Sequence, residues 1–394
     1  MQLFAFVLAL LPAFAIEVMA GIGYGLAQHV VVFGLDGLDV RCLHQALDSG
    51  LAPHMHYLRS HGMYTDNARN NRPAVSLPNW ATIFYGANVM FHGVTSNDWS
   101  YCSGQTSSFL PSCVVYPDLF SVTKQQHPDA TTAMFYTWAG LDAILPATAV
   151  DIDVHTYVAA DETCNATLNA SSIASAAAVD LISGGNRSSM PEVLFLYLGE
   201  ADACAHEAGC FSDVGQSAIA AMDDHVGTIV QAVKAAGLFN STLFFLVSDH
   251  GRNDDGVDHG DAAPSNEHVQ WAVFGHGLAG GNRELKAAIS IEDTAPTIAH
   301  ALGYPAPLEW HGRVVHEVFL GANESLYAAA KSPWNQCLMN TCATGGTGSA
   351  GSESPGLADI NWSLGLGSTA VLVLAIGLAL LVRFYSPRRE YEAI

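Results

Sequence analysis

The sequence predicts an α/β fold in which helices cover both faces of a mostly parallel sheet, within a body of about residues 28–320. Short apolar runs that end in acidic residues recur along this body, as in "HVVVFGLDG", "EVLFLYLGEAD" and "TLFFLVSDHG". Between the last two runs, residues 214–239 repeat apolar side chains at spacings of three and four, as a helix does. Buried strands that alternate with helices are typical of a parallel sheet.

Residues 1–20 are predicted to be a signal peptide. The apolar run "QLFAFVLALLPAFA" is too short to span a bilayer, and small residues follow it at the position of a cleavage site. Because no basic residue precedes the run, an uncleaved hydrophobic anchor remains an alternative.

The C-terminal end predicts attachment to a membrane. A Gly- and Ser-rich stalk, residues 321–363, precedes 19 uncharged residues, 364–382, which as a helix would be roughly 28 Å long. Arg383, Arg388 and Arg389 follow this predicted transmembrane helix, so residues 383–394 should be a cytoplasmic tail. The chain is therefore expected to be a single-pass type I membrane protein with its ectodomain outside the cell or in the endosomal or lysosomal lumen. The terminal "YEAI" resembles a tyrosine-based sorting signal.

Glycosylation acceptors and cysteines agree with an oxidising compartment. Six Asn-x-Ser/Thr sequences occur, at Asn165, Asn169, Asn186, Asn240, Asn323 and Asn361. The eight cysteines should form disulfides, and three pairs are close in sequence. These are Cys102 with Cys113, Cys204 with Cys210, and Cys337 with Cys342, which leaves Cys42 with Cys164, although spacing cannot fix the connectivity.

The charge limits the class of partner. Asp and Glu number 37 against 15 Lys and Arg, a formal net charge of −22. Such a surface repels nucleic acid and anionic lipid. We therefore expect no nucleic-acid partner.

Acidic and histidine residues cluster where a parallel sheet binds ligands, beyond the carboxyl ends of its strands. Asp36, Asp202 and Asp249 fall at such positions. His206 follows Asp202 by four residues, which places both on one face if the segment is helical, and His250 directly follows Asp249. With His259 these six residues could hold two zinc ions. Asp258 and Asp261 flank His259 and are expected to orient it.

Several motifs together resemble the type I phosphodiesterase and nucleotide pyrophosphatase family of the alkaline phosphatase superfamily. They are "VVVFGLDGLD", "VSLPNWATIFYG" followed by "HGVTSND", "GEADACAH", "SDHG", "DHGD" and "DTAPTIAHALGYPAPLEWHGR". The resemblance implies an alkaline-phosphatase-like three-layer sandwich and two Zn²⁺ ions. One ion would be bound by Asp36, Asp249, His250 and the nucleophile Ser76, where many relatives carry Thr, and the other by Asp202, His206 and His259. Asn97 would donate a hydrogen bond to a phosphate oxygen.

The function expected from this resemblance is hydrolysis of phosphate diester or pyrophosphate bonds in a small phosphate ester, through a phosphoryl-serine intermediate. A phosphomonoesterase, a phospholipid-headgroup hydrolase and a catalytically inert membrane receptor remain alternatives. A sulfatase is disfavoured because "SLPNW" has Trp80 where the sulfatase motif requires Arg. A phosphoethanolamine transferase of the glycolipid-anchor type is disfavoured because those relatives carry many membrane spans. The oligomeric state is not indicated.

Overall fold

A computed structural model describes residues 26–100, 116–145, 151–184, 190–278 and 283–319. The predicted signal peptide, stalk, membrane helix and tail lie outside these residues. Within the described ranges, no helix is long and apolar enough to cross a membrane.

The described strands form one sheet of eight, in the order β4-β3-β5-β1-β6-β7-β2-β8. The strand β7 is antiparallel to both neighbours, and all other pairs are parallel. The sheet is therefore mostly parallel, as predicted. The strands are β1 (His29–Leu35), β2 (Met63–Arg69), β3 (Thr132–Tyr136), β4 (Val154–Tyr157), β5 (Val193–Leu198), β6 (Thr242–Val247), β7 (His268–Gly275) and β8 (Arg283–Glu284).

Local sequence signals explain where the principal helices begin and end. The helix predicted within residues 214–239 is observed as Asp213–Ala235. It begins after Ser212, whose side chain accepts a hydrogen bond from the Gly215 N–H. The described α-helices are α1 (Val40–Asp48), α2 (Pro53–His61), α3 (Ser76–Tyr85), α4 (Val89–His92), α5 (Leu119–Gln126), α6 (Cys164–Ser183), α7 (Glu200–Ala208), α8 (Asp213–Ala235), α9 (Pro264–Glu267) and α10 (Thr294–Leu302). Gly86, in the left-handed region at φ 52°, ends α3.

Two hydrophobic cores lie on opposite faces of the sheet, so the body has three layers. Along β1, Val30 and Val32 pack into one core, while Val31 and Phe33 pack into the other. Helices α3, α5 and α10 contribute to the first core, and α1, α2, α6, α7 and α8 contribute to the second. A strand that is buried on both faces has a continuous apolar sequence. The central strands were predicted from such apolar runs.

The three strands that the sequence singled out are adjacent. The strand β1 lies between β5 and β6, and it pairs in parallel with both. Leu35 lies opposite Leu198, and Gly34 lies opposite Val247, so the carboxyl ends of the three strands meet at one edge. The residues that follow these strands therefore share a small volume.

Two of the predicted cysteine pairs, Cys204 with Cys210 and Cys42 with Cys164, are wrong. The structure pairs Cys42 with Cys210 and Cys164 with Cys204. Cys204 lies within α7 and packs beside Ala218 of α8, whereas Cys210 follows the end of α7. Their side chains therefore reach different neighbouring helices despite their closeness in sequence. The other two predicted pairs lie outside the described residues.

Candidate metal centre

The carboxylates of Asp36, Asp202 and Asp249 lie just beyond the carboxyl ends of the central strands. Asp36 directly follows β1, and Asp249 lies two residues beyond the end of β6. Asp202 lies in the first turn of α7, which follows β5 after a single residue. Because α7 is helical, His206 lies four residues along the same helix face as Asp202, as expected.

The carboxylates of Asp36 and Asp249 each have one fixed oxygen and one unpaired oxygen. Asp36 Oδ2 accepts hydrogen bonds from Trp80 Nε1 at 3.1 Å and from the Tyr197 hydroxyl at 2.5 Å. Asp249 Oδ1 accepts one from the Gly37 N–H at 3.0 Å. Asp36 Oδ1 and Asp249 Oδ2 are buried without a hydrogen-bond partner among the described residues. A buried unpaired carboxylate oxygen is costly, and a cation would satisfy both of these.

In His206, His250 and His259, Nδ1 contacts an oxygen atom, so Nε2 is the ring nitrogen that is available to bind a metal ion. Nδ1 donates to the Gly251 carbonyl in His250 and to the Ala74 carbonyl in His259, each at 3.0 Å. His206 Nδ1 lies 3.2 Å from Asp258 Oδ1. This arrangement, with an oxygen acceptor behind each imidazole, is common for metal-binding histidines. Asp258, expected to orient His259, thus contacts His206 instead.

The predicted ligands meet in one volume, in which we define a two-carboxylate set (Asp36, Asp249 and His250) and a two-histidine set (Asp202, His206 and His259). One ligand atom from each of Asp36, Asp202 and His250 also lies within 4.8 Å of the others, so Asp202 borders both sets. In the two-carboxylate set, His250 Nε2 lies 3.5 Å from Asp36 Oδ1 and 3.4 Å from Asp249 Oδ2. In the two-histidine set, one ligand atom from each of Asp202, His206 and His259 lies within 4.8 Å of the others. The two sets touch, because the His250 and His259 rings stack with centroids 3.7 Å apart.

The electrostatics of the carboxylates favour a bound cation. Burial, together with the nearby Asp202 carboxylate, raises the pKa of Asp36 to about 7. Burial and the Asp36 carboxylate raise the pKa of Asp249 well above its usual value. Burial and the neighbouring His259 hold the pKa of His250 well below its usual value, so this imidazole is neutral and can act as a ligand. Oxygen and neutral imidazole donors in this number suit zinc.

Ser76 and Asn97 lie beside the two-carboxylate set. Ser76 is the first residue of α3, and its hydroxyl donates to His250 Nε2 at 3.2 Å. Asn97 Oδ1 accepts from the Leu77 N–H at 2.9 Å, directly after the serine. Because the amide oxygen is engaged, the NH₂ group is the end that can donate to a phosphate oxygen. Asn79 holds the loop before α3 through the Pro73 and Val75 carbonyls, which is a structural role.

Three further side chains belong to the site and were not predicted from the sequence. Trp80 and Tyr197 hold Asp36, and Arg252 donates a hydrogen bond to Asp202 Oδ1. Trp80 and Tyr197 lie within apolar segments and read as core residues. Arg252 had a visible signal, since it directly follows the Asp-His-Gly triplet in a chain with few basic residues.

The loop after β6 is fastened to α1. Arg41 donates to the carbonyls of Arg252 and Asn253, at 3.0 and 2.9 Å. Asp39 accepts from Arg41 and from the Arg252 N–H. These contacts hold the segment that carries the predicted ligands Asp249 and His250.

Comparison with known proteins finds similar sequences. Mouse (Mus musculus) ectonucleotide pyrophosphatase/phosphodiesterase family member 1 is 26% identical over 230 residues, which cover 56% of this chain and 24% of the relative. This chain thus aligns with about a quarter of the length of that relative.

Solved structures share the fold. Murine ectonucleotide pyrophosphatase/phosphodiesterase 5 superposes with a TM-score of 0.55 at 17% identity, over 71% of this chain and 96% of that one. A 2-O GAG sulfatase superposes with a TM-score of 0.60 at 15% identity, over 75% of each chain. The family model described as Type I phosphodiesterase / nucleotide pyrophosphatase matches residues 30–281. The chain belongs to the type I phosphodiesterase / nucleotide pyrophosphatase family.

Proposed function

We propose that this protein is a zinc-dependent hydrolase that cleaves phosphate diester or pyrophosphate bonds through a phosphoryl-serine intermediate on Ser76. The observation that carries the proposal is the position of the Ser76 hydroxyl, 3.2 Å from His250 Nε2 and beside carboxylates with unpaired, buried oxygens. Family membership supports the class of reaction.

Two zinc ions would be held by the residues already described. Asp36, Asp249, His250 and Ser76 would bind one, and Asp202, His206 and His259 would bind the other. Bound there, the ions would supply the positive charge that lowers the pKa of the serine hydroxyl and stabilises the leaving oxygen.

The chain's own residues perform the covalent steps. Ser76 Oγ loses its proton to solvent and forms a bond to phosphorus, while the bond from phosphorus to the leaving oxygen breaks and that oxygen takes up a proton. Water then attacks the phosphoryl-serine, which releases the phosphate product and restores the hydroxyl. Asn97 is placed to donate to a non-bridging phosphate oxygen as charge develops in the transition state.

The substrate class is best decided by direct assay. A panel of the nitrophenyl esters of thymidine monophosphate, phosphocholine and phosphate separates a nucleotide diesterase from a headgroup hydrolase and a monoesterase. A nucleotide is the first choice, because the structure of murine ectonucleotide pyrophosphatase/phosphodiesterase 5 was determined in complex with AMP. An inert receptor would turn over none of the three.

The covalent mechanism makes a first prediction. Ser76→Ala in the purified full chain should lower the turnover of the preferred ester at least about a thousandfold, since it removes the nucleophile, and should keep most of the bound zinc, since Asp36, Asp249 and His250 remain. Turnover and zinc content are measured on the same sample. Ser172→Ala, on the exposed side of α6, is the matched control and should match the wild type. Wild-type turnover by Ser76→Ala would exclude the phosphoryl-serine mechanism.

We also propose that the body is lumenal or extracellular and is attached by one C-terminal helix. Both disulfides among the described residues support an oxidising compartment. The apolar segment 364–382 supports the attachment. Protease protection of a tag placed after residue 394 in sealed vesicles tests this topology.

A further inference from the structure

Arg252 is a buried cation inside the candidate metal centre. Its side chain is fully buried, and Nη2 donates to Asp202 Oδ1, while Nη1 donates to the Val257 carbonyl at 2.6 Å. Its backbone N–H donates to Asp39 Oδ2 at 2.9 Å. A guanidinium is rarely buried unless it is paired, so the pair with Asp202 is the reason that this arginine can be buried here.

The backbone next to the Arg252–Asp202 pair carries a glycine, Gly37. Gly37 adopts φ +59°, and a Cβ at this position would lie 2.6 Å from both Arg252 Nη2 and Asp202 Oδ1. Both distances are too short for any real side chain. A side chain at this position would displace the Arg252–Asp202 pair, so Gly37 leaves room for the two groups to meet.

The pair makes the charge of the two ligand sets unequal. The two-carboxylate set contains Asp36 and Asp249, and the unpaired oxygens of these carboxylates contact no arginine or lysine among the described residues. The two-histidine set contains one carboxylate, Asp202, and the Oδ1 that lies 3.7 Å from His259 Nε2 is the same atom that accepts from Arg252. The formal charge of the first set is −2, whereas Asp202 and Arg252 together sum to zero.

We propose that Arg252 is a positioning residue that neutralises Asp202 and makes the two cation sites differ in affinity. The two-carboxylate set binds its cation tightly, and the two-histidine set binds its cation at least about tenfold more weakly, because a fixed positive charge a few ångströms away opposes a divalent cation. Arg252 also holds Oδ1, which leaves Oδ2, 3.4 Å from His206 Nε2, as the coordinating oxygen. The proposal rests on the metal binding of the proposed function.

Zinc titration of the metal-free full chain, with a competing chelator, tests this inference. The wild type should bind two equivalents in two steps, the second at least about tenfold weaker. Arg252→Met should tighten the second step by at least about tenfold and the first step by less, because Asp202 Oδ1 also lies 3.9 Å from His250 Nε2 of the first set. Arg252→Lys should keep the second step weak. Arg59→Met is the matched control, because it removes another buried arginine, paired with Asp66 away from the site, and should leave both steps unchanged.

A variant that removes one predicted ligand shows which binding step belongs to which set of ligands. His206→Ala should remove the weak step and keep the tight one. Two wild-type steps of equal affinity, or a second step that Arg252→Met leaves unchanged or weakens, would overturn the inference while leaving the zinc hydrolase intact. A wild type that binds no zinc would overturn both. If Arg252→Met does not fold, Arg252→Gln, which removes the charge but keeps a hydrogen-bond donor, takes its place and should tighten the second step in the same way; an unchanged second step would overturn the inference.

Discussion

At the scale of single residues, hydrogen bonds fix one oxygen of a carboxylate in the candidate site and leave the other oxygen unpaired, where the proposed cation would bind. Asp36 shows this most fully, because Trp80 of α3 and Tyr197 of β5 both donate to Oδ2. A carboxylate held in this way is already oriented before the ion binds. Such supporting bonds commonly change metal affinity by about ten- to a hundredfold.

A prediction follows for Tyr197→Phe. It removes one of the two bonds to Asp36 while keeping the aromatic ring, so the fold should persist and zinc affinity should fall by about ten- to a hundredfold. Chelator competition measures the loss. Tyr136→Phe is the control, since the Tyr136 hydroxyl on β3 donates to Asp142, outside the site. Unchanged affinity in Tyr197→Phe would show that this bond does not support metal binding.

Candidate ligands are easier to predict from the sequence than the residues that orient them. Asp36 and Asp249 could be predicted because the end of a buried strand is visible in the sequence. Tyr197 could not, because its bond to Asp36 joins residues 161 apart and depends on which strands are neighbours. Arg252 differs again, since its partner Asp202 is 50 residues away and only the packed loop brings them together.

At the scale of elements, two disulfides attach α7 and the chain that follows it to neighbouring helices. The disulfide from Cys204 ties this helix to α6, and the disulfide from Cys210 ties the chain beyond it to α1. The pairing predicted from spacing failed because Cys204 lies in α7 and faces α6, whereas Cys210 lies beyond the end of α7 and faces α1. The direction of the side chain, set by helix packing, decides which cysteine is within reach.

The two disulfides among the described residues are predicted to stabilise the body by restricting the unfolded chain. Cys164→Ser with Cys204→Ser opens a link across 40 residues and should lower the free energy of unfolding by about 4 kcal/mol. Cys42→Ser with Cys210→Ser opens one across 168 residues and should lower it by about 5 kcal/mol. Urea unfolding of the two double variants and the wild type measures this. A smaller loss for the longer link would contradict the chain-entropy explanation.

At the scale of the whole molecule, the layered sheet was predictable, but its strand order was not. Alternating apolar runs and helical segments predict a parallel sheet wherever they occur. The edge strands β4 and β8 carry little periodic signal, since β8 has two residues and β4 has four. The strand β7 is a buried apolar run like its neighbours, and its sequence does not show that it runs antiparallel. Their places are set by how the connecting chain packs.

The net charge of −22 has a kinetic consequence. Exposed carboxylates at Asp254, Asp255 and Asp258 lie in the loop that carries His259, so the approach to the site is negative locally as well as globally. An anionic substrate is then repelled, and salt screens this repulsion.

We predict that kcat/KM for the nitrophenyl ester of thymidine monophosphate rises about two- to fivefold when ionic strength increases from roughly 10 to 150 mM. The phosphocholine ester, which has no net charge, is the control and should change little. A fall in kcat/KM for the thymidine ester would show instead that positive charge within the site dominates the approach of substrate.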